Sequence, residues 1–123
     1  MNKAVIGVGS NIDPEKNIEQ VKALIAGRHS LIRTSSFVWT RPLGDIPQPD
    51  FLNGALLIET DMERQDLMLW LKDIERTLGR PPGGDRWGPR TMDLDLVVWN
   101  GEVVDPDIET RDFLKEAVEE VLS

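Results

Sequence analysis

The sequence contains no cysteine, so neither a disulfide framework nor a thiolate metal site can be built from it. It holds a single histidine, His29, which falls in a linker between patterned segments and reads as a surface residue rather than a catalyst or ligand. Basic residues are scarce: 14 Lys and Arg stand against 22 Asp and Glu, for a formal charge of −8, which argues against a general nucleic-acid binder. No apolar run approaches the roughly 20 residues of a membrane span. The start shows no charged-then-apolar leader, so the expectation is a cytoplasmic protein with no membrane partner. Repeats and low-complexity segments are absent as well. A length of 123 residues with 40% hydrophobic and 29% charged residues fits one ordinary globular domain spanning 1–123. Nothing in the pattern fixes an oligomeric state.

What the chain does have is concentrated between residues 79 and 99. Four arginines, Arg76, Arg80, Arg86 and Arg90, reverse the local sign of charge on an acidic background. The last three lie in a glycine- and proline-rich arm that leads into Asp93-Leu94-Asp95-Leu96-Val97-Val98-Trp99, which reads as a strand. In a strand, residues two apart share a face, so Asp93 and Asp95 project together and Leu94 and Leu96 point the other way. Two adjacent carboxylates near a core call for a cation, and oxygen-only ligands suit Mg²⁺, which completes its shell with water and phosphates. Arg80, Arg86 and Arg90 supply the charge that a polyphosphate requires. An Asp-x-Asp alone reads first as the solvated face of an edge strand with the arginines an ordinary surface loop, and the attached arginine- and glycine-rich arm puts the metal-polyphosphate reading ahead; Trp87 either plugs a closed site or anchors the loop.

Taken in order, residues 4–9 read as a buried strand, with Gly7-Val8-Gly9-Ser10-Asn11 as a tight turn or a weak phosphate cradle. A helix follows from about Pro14 to Ala26, with Asp13 as N-cap and Gly27 as its stop. Residues 31–40 read as one strand, a proline-rich loop as a pocket wall, and 51–60 as a third strand on which Phe51 and Asn53 share a face. An aromatic plate beside an amide suits a flat heterocycle. Thr60-Asp61-Met62-Glu63 has the form of a capping box opening a helix with Leu67, Leu71, Ile74 and Leu78 inward, and Met68 and Trp70 also in the core. Asn100-Gly101 is a hairpin signal leading to Val103-Val104, Asp105-Pro106 breaks that strand, and a last helix covers about 111–122. This order predicts an α+β fold, a ferredoxin-like sandwich with an antiparallel-rich sheet and helices packed on it.

Arg86-Trp87-Gly88-Pro89-Arg90-Thr91-Met92-Asp93-Leu94-Asp95 resembles the R-W-G-P-R-T-x-D-x-D signature of the 6-hydroxymethyl-7,8-dihydropterin pyrophosphokinase family. The likeness takes in Gly9-Ser10-Asn11 and the stretch Thr40-x-Pro42-Leu43-Gly44 … Gln48-Pro49-Asp50-Phe51-Leu52-Asn53, across roughly residues 4 to 104. It implies transfer of the β,γ-diphosphate of ATP to the hydroxymethyl oxygen of the reduced pterin, releasing AMP, with two Mg²⁺ on Asp93 and Asp95. By the same likeness Thr40, Pro42, Leu43, Phe51, Asn53 and Phe113 hold the pterin. Glu75, Arg80, Arg86, Trp87, Arg90, Leu96 and Arg111 hold the nucleotide, and Arg80, Arg86 and Arg90 carry catalysis. For Glu75, a surface charge beside Arg76 is the other reading, and both stand open. The family pattern has a Pro-His element before its Arg-x-Phe and a longer C-terminal region. Here six residues, 105–110, lead from Val104 to Arg111-Asp112-Phe113 without that element. The resemblance is therefore to a shortened member. Two alternatives accompany it: a non-catalytic pterin- or nucleotide-binding module, and a related diphosphotransferase acting on another heterocycle.

Overall fold

The protein is described by a computed structural model covering residues 1–42, 44, 46–79 and 92–123. Its elements are strand Asn2–Ser10 (β1), helix Pro14–Arg28 (α1), strands Ser30–Thr34 (β2), Val38–Thr40 (β3) and Phe51–Thr60 (β4), and helix Arg64–Thr77 (α2). Strands Asp93–Trp99 (β5) and Glu102–Val103 (β6) follow, then a 3-10 helix, Pro106–Glu109, and helix Asp112–Leu122 (α3). The sheet runs β2-β4-β1-β5-β6, every pairing antiparallel, with β3 continuing the line of β2 along the same side of β4. This is the expected α+β, ferredoxin-like arrangement.

The strand period of two divides the apolar side chains between two layers. Ala4, Ile6 and Val8 of β1, Leu56 and Ile58 of β4, and Leu94 and Leu96 of β5 meet Ile18, Val21 and Ile25 of α1 and Leu67, Leu71 and Ile74 of α2. On the opposite face Val5, Ala55, Leu57 and Val97 meet Leu114, Ala117, Val118 and Val121 of α3. Glycines take the place of side chains on this second face near the end of β1, and they leave room there.

Several local expectations are corrected. Residues 31–40 form two strands. At Ser35 the hydroxyl accepts from the Ala55 N–H at 2.8 Å, and the Ser36 backbone N–H and hydroxyl then turn to Glu120 on α3. Gly7 and Gly9 lie within β1, so the tight turn begins only after Ser10. Helix α1 runs through Gly27 to Arg28, because that glycine meets no neighbour and the first-layer contacts of Ile25 hold the last turn. The capping box does not form: Thr60 Oγ1 accepts from Met62 N at 3.0 Å and contacts His29 Nδ1 at 2.9 Å, and no side chain caps α2. His29 is therefore buried, edge-on to Trp70 with ring centroids 4.4 Å apart, and Met68 is exposed instead of in the core. Burial, with Arg28's charge adding, holds His29 below its ordinary pKa.

Candidate active site

The second face of the sheet carries a cavity of about 300 Å³ between the strands and the N-terminal turn of α3. Its floor follows from strand register. Gly9 pairs with Asn53 on one side and Asp93 on the other, and Gly7 pairs with Ala55 and Asp95. A side chain at Gly9 would fill this floor, since a Cβ there would lie 2.6 Å from Asn53 Oδ1. Asn53 Nδ2 in turn donates to Thr40 Oγ1 at 2.6 Å, which fixes the amide's orientation. Phe51 stands beside it on β4, and Phe113 enters from α3, so both aromatic side chains line one cavity.

At the other side of the floor the i, i+2 spacing on β5 does what the sequence implies: Asp93 and Asp95 both line the cavity, and Leu94 and Leu96 are buried behind them. Burial pushes the Asp95 carboxyl up to about 7, with the negative charges of Asp93, Asp105 and Glu75 adding and Lys72 opposing. A carboxyl so destabilised as an anion, beside a second carboxylate in an open, glycine-floored cavity, is a donor set that a hard divalent cation fits. Asp105, Thr110, Arg111 and Asp112 complete the rim. Arg111 Nη2 lies 3.5 Å from Asp107 Oδ2, and Asp105 Oδ1 accepts from the Asp107 N–H at 3.0 Å, so the 3-10 helix and the start of α3 are tied together.

The sequence model describing 7,8-dihydro-6-hydroxymethylpterin-pyrophosphokinase matches residues 5–123. The chain belongs to this pyrophosphokinase family. It is 36% identical over 109 residues to 2-amino-4-hydroxy-6-hydroxymethyldihydropteridine pyrophosphokinase of Haemophilus influenzae, a match covering 85% of this chain and 66% of that protein. The Bacillus subtilis protein of the same name is 38% identical over 110 residues, covering 86% and 65%. For the Synechocystis protein the values are 38% over 100 residues, 78% and 50%. The chain thus spans from half to just under two thirds of the length of these pyrophosphokinases.

Among the residues singled out from the sequence, the cavity of this pyrophosphokinase-family chain brings together Thr40, Phe51, Asn53, Asp93, Asp95, Arg111 and Phe113. Pro42 is half-buried in the loop beyond β3 and is not part of that lining. The Leu96 side chain is in the first core layer and faces away from the cavity. Glu75 is no surface charge: it is 3% exposed, behind β5, with Oε2 accepting from the Leu94 N–H at 2.7 Å. Leu43, Arg80, Arg86, Trp87 and Arg90 lie outside the described residues. The sequence reading passed over Gly7 and Gly9 as floor residues. Their signal was the i, i+2 spacing of glycines inside an apolar strand, which marks a place where something approaches the backbone closely. It passed over Asp105 as well, because an Asp before Pro reads first as a strand breaker.

Proposed function

We propose that this chain transfers the β,γ-diphosphate of ATP to the hydroxymethyl oxygen of 6-hydroxymethyl-7,8-dihydropterin and releases AMP. The observation that carries the proposal is a single cavity with two phenylalanines and an oriented amide at one side and two carboxylates at the other. Phe51 and Phe113 sandwich the flat pterin, and Asn53, held by Thr40, bonds its edge. By the family likeness, main-chain groups around Thr40 and Leu43 would complete the recognition. Asp93 and Asp95 would hold two Mg²⁺, which when bound would supply charge neutralisation for the triphosphate and a lowered pKa for the attacking hydroxyl. The reaction asks for alignment and charge neutralisation more than covalent help. Arg111 at the rim and Arg80, Arg86 and Arg90 of the basic arm stabilise phosphate charge, Arg90 standing nearest the carboxylates in sequence. Trp87 belongs to the nucleotide side, and Glu75 and Leu96, buried behind β5 away from the cavity, would serve it only through that strand. Among the described residues no helix is long and apolar enough to cross a membrane; residues 1–123 are proposed to act as one domain, in the cytoplasm.

The experiment is AMP release from ATP with Mg²⁺ and 6-hydroxymethyl-7,8-dihydropterin, using Asp95→Ala as control. Pterin-dependent AMP that disappears in the variant is the expected result. If the wild-type chain forms no AMP yet still binds the pterin in calorimetry, it is a binding module rather than a transferase.

A further inference from the structure

Among the described residues, strand β5 has only part of a partner on its outer side. Its inner side pairs with β1 from Ala4 to Gly9, whereas β6 reaches only Val98 and Trp99. Among those residues the stretch with the two carboxylates is an outer edge of the sheet, and a buried backbone N–H or C=O there needs another partner. Helix α2 supplies one. Glu75 Oε2 accepts from the Leu94 N–H at 2.7 Å, and Lys72 Nζ reaches the Leu94 carbonyl at 3.4 Å. Lys72 also lies 3.2 Å from Glu75 Oε1, so the two side chains, one helical turn apart, are tied to each other as well as to the strand.

We propose that Lys72 and Glu75 act as a surrogate strand that sets the direction of Asp93 and Asp95, making them positioning residues for the metal-holding carboxylates. Leu94 lies between the two aspartates, and its N–H and C=O are the groups the pair grips. A rotation of that peptide would swing Asp93 and Asp95 relative to each other, because consecutive side chains of a strand turn with the backbone. The Glu75 contact is a charge-assisted bond in a buried setting, stronger than a neutral one. Leu94's own side chain, 1% exposed in the first layer, blocks the strand from turning as a whole, so the pair governs local twist. Loss of a residue that orients a metal ligand typically weakens metal affinity by about 10- to 100-fold.

The role of Asp93 and Asp95 in this inference rests on the proposed function, so its test uses readouts that need no turnover. Amide hydrogen exchange at Leu94 and Mn²⁺-induced broadening of the Asp93 and Asp95 amide resonances are measured in wild type, Glu75→Ala, Glu75→Gln and Lys72→Met. In Glu75→Ala, Leu94 exchange accelerates and the Mn²⁺ concentration for half-broadening rises roughly 10-fold or more. Glu75→Gln, which keeps an acceptor, recovers most of both, and Lys72→Met gives a smaller shift in the same direction. Should Glu75→Ala fail to fold, Lys72→Met carries the test alone. Unchanged Leu94 exchange in the variants overturns the inference, as does faster exchange with unchanged Mn²⁺ response. Absence of AMP formation by the wild type, with these shifts intact, would remove the transferase reading and leave the positioning pair standing.

Discussion

Asp95 is the residue where burial and charge are most opposed. Its carboxyl binds a proton more tightly in the folded chain than in the unfolded one, with a folded value of about 7 against an ordinary 3.8. The stability contributed by that proton is complete below the ordinary value and is lost as pH rises through 7, a loss on the order of a few kcal/mol. His29 pulls the other way: its folded pKa is lowered, so its contribution is complete above 6.5 and lost as pH falls. We expect Asp95→Asn to raise the melting temperature of the metal-free protein at pH 8, to raise it less at pH 5, and to leave it nearly unchanged only at about pH 3, below the ordinary value. Mg²⁺ should stabilise the wild type more at pH 8 than at pH 5.5, where its ligand holds a proton. A wild-type melting profile matching that of Asp95→Asn across this range would refute the assignment. At the floor, Gly9→Ala should lower pterin affinity by roughly 10-fold or more, about 1.4 kcal/mol, because the new methyl meets the pinned Asn53 amide at 2.6 Å. Gly7→Ala meets Val97 and Leu114 side-chain carbons at 3.2 and 3.3 Å, contacts that yield more readily. Equal losses in the two variants, by calorimetry, would mean that Gly9 is not under the ligand. The carboxylates were legible because a period of two fixes them. The floor was not, because a missing side chain acquires meaning only when its neighbours across the sheet are known.

Elements set by local chemistry were the legible ones. β4 spans the expected Phe51–Thr60, and the β5–β6 hairpin forms where Asn100-Gly101 announces it. Both turn residues have positive φ, 49° and 84°, as a two-residue primed turn demands. Asn100 also bonds Lys3 twice, its N–H donating to the carbonyl at 2.8 Å and its Oδ1 accepting from the N–H at 2.8 Å. Gly101→Ala should therefore cost about 1 kcal/mol in urea unfolding through backbone strain, since its Cβ would meet nothing within 4 Å. A cost below measurement error would show that the turn relaxes to another type. Elements set by distant partners were not legible. The line of residues 31–40 divides because Ser36 answers to Glu120, 84 positions away, and the capping box yields because Thr60 answers to His29. Each conflict pits a local preference against a buried tertiary bond, and the tertiary bond prevails.

At the scale of the whole molecule, among the described residues two helices cover one face of the sheet along the length of β1, and α3 covers only part of the other, leaving the end with Gly9, Asn53 and Asp93 open beside its first turn. That unequal covering creates the cavity, and it also separates the cavity's two chemistries. Phe51 and Asn53 belong to β4 and Asp93 and Asp95 to β5, with the glycines of β1 between them. Ligands of the two sides should consequently stabilise the fold through different strands. A ligand at about 100 times its dissociation constant adds roughly 2.7 kcal/mol to folding stability. In thermal unfolding, the reduced pterin alone should raise the midpoint of wild type and Asp95→Ala by similar amounts. A Mg²⁺-bound, non-hydrolysable ATP analogue should raise the wild type only. Phe113→Ala should show the reverse pattern, losing the pterin shift and keeping most of the nucleotide shift. If Asp95→Ala instead abolished both shifts, the carboxylates would be holding the cavity's shape as a whole, and the division of labour between β4 and β5 would have to be abandoned.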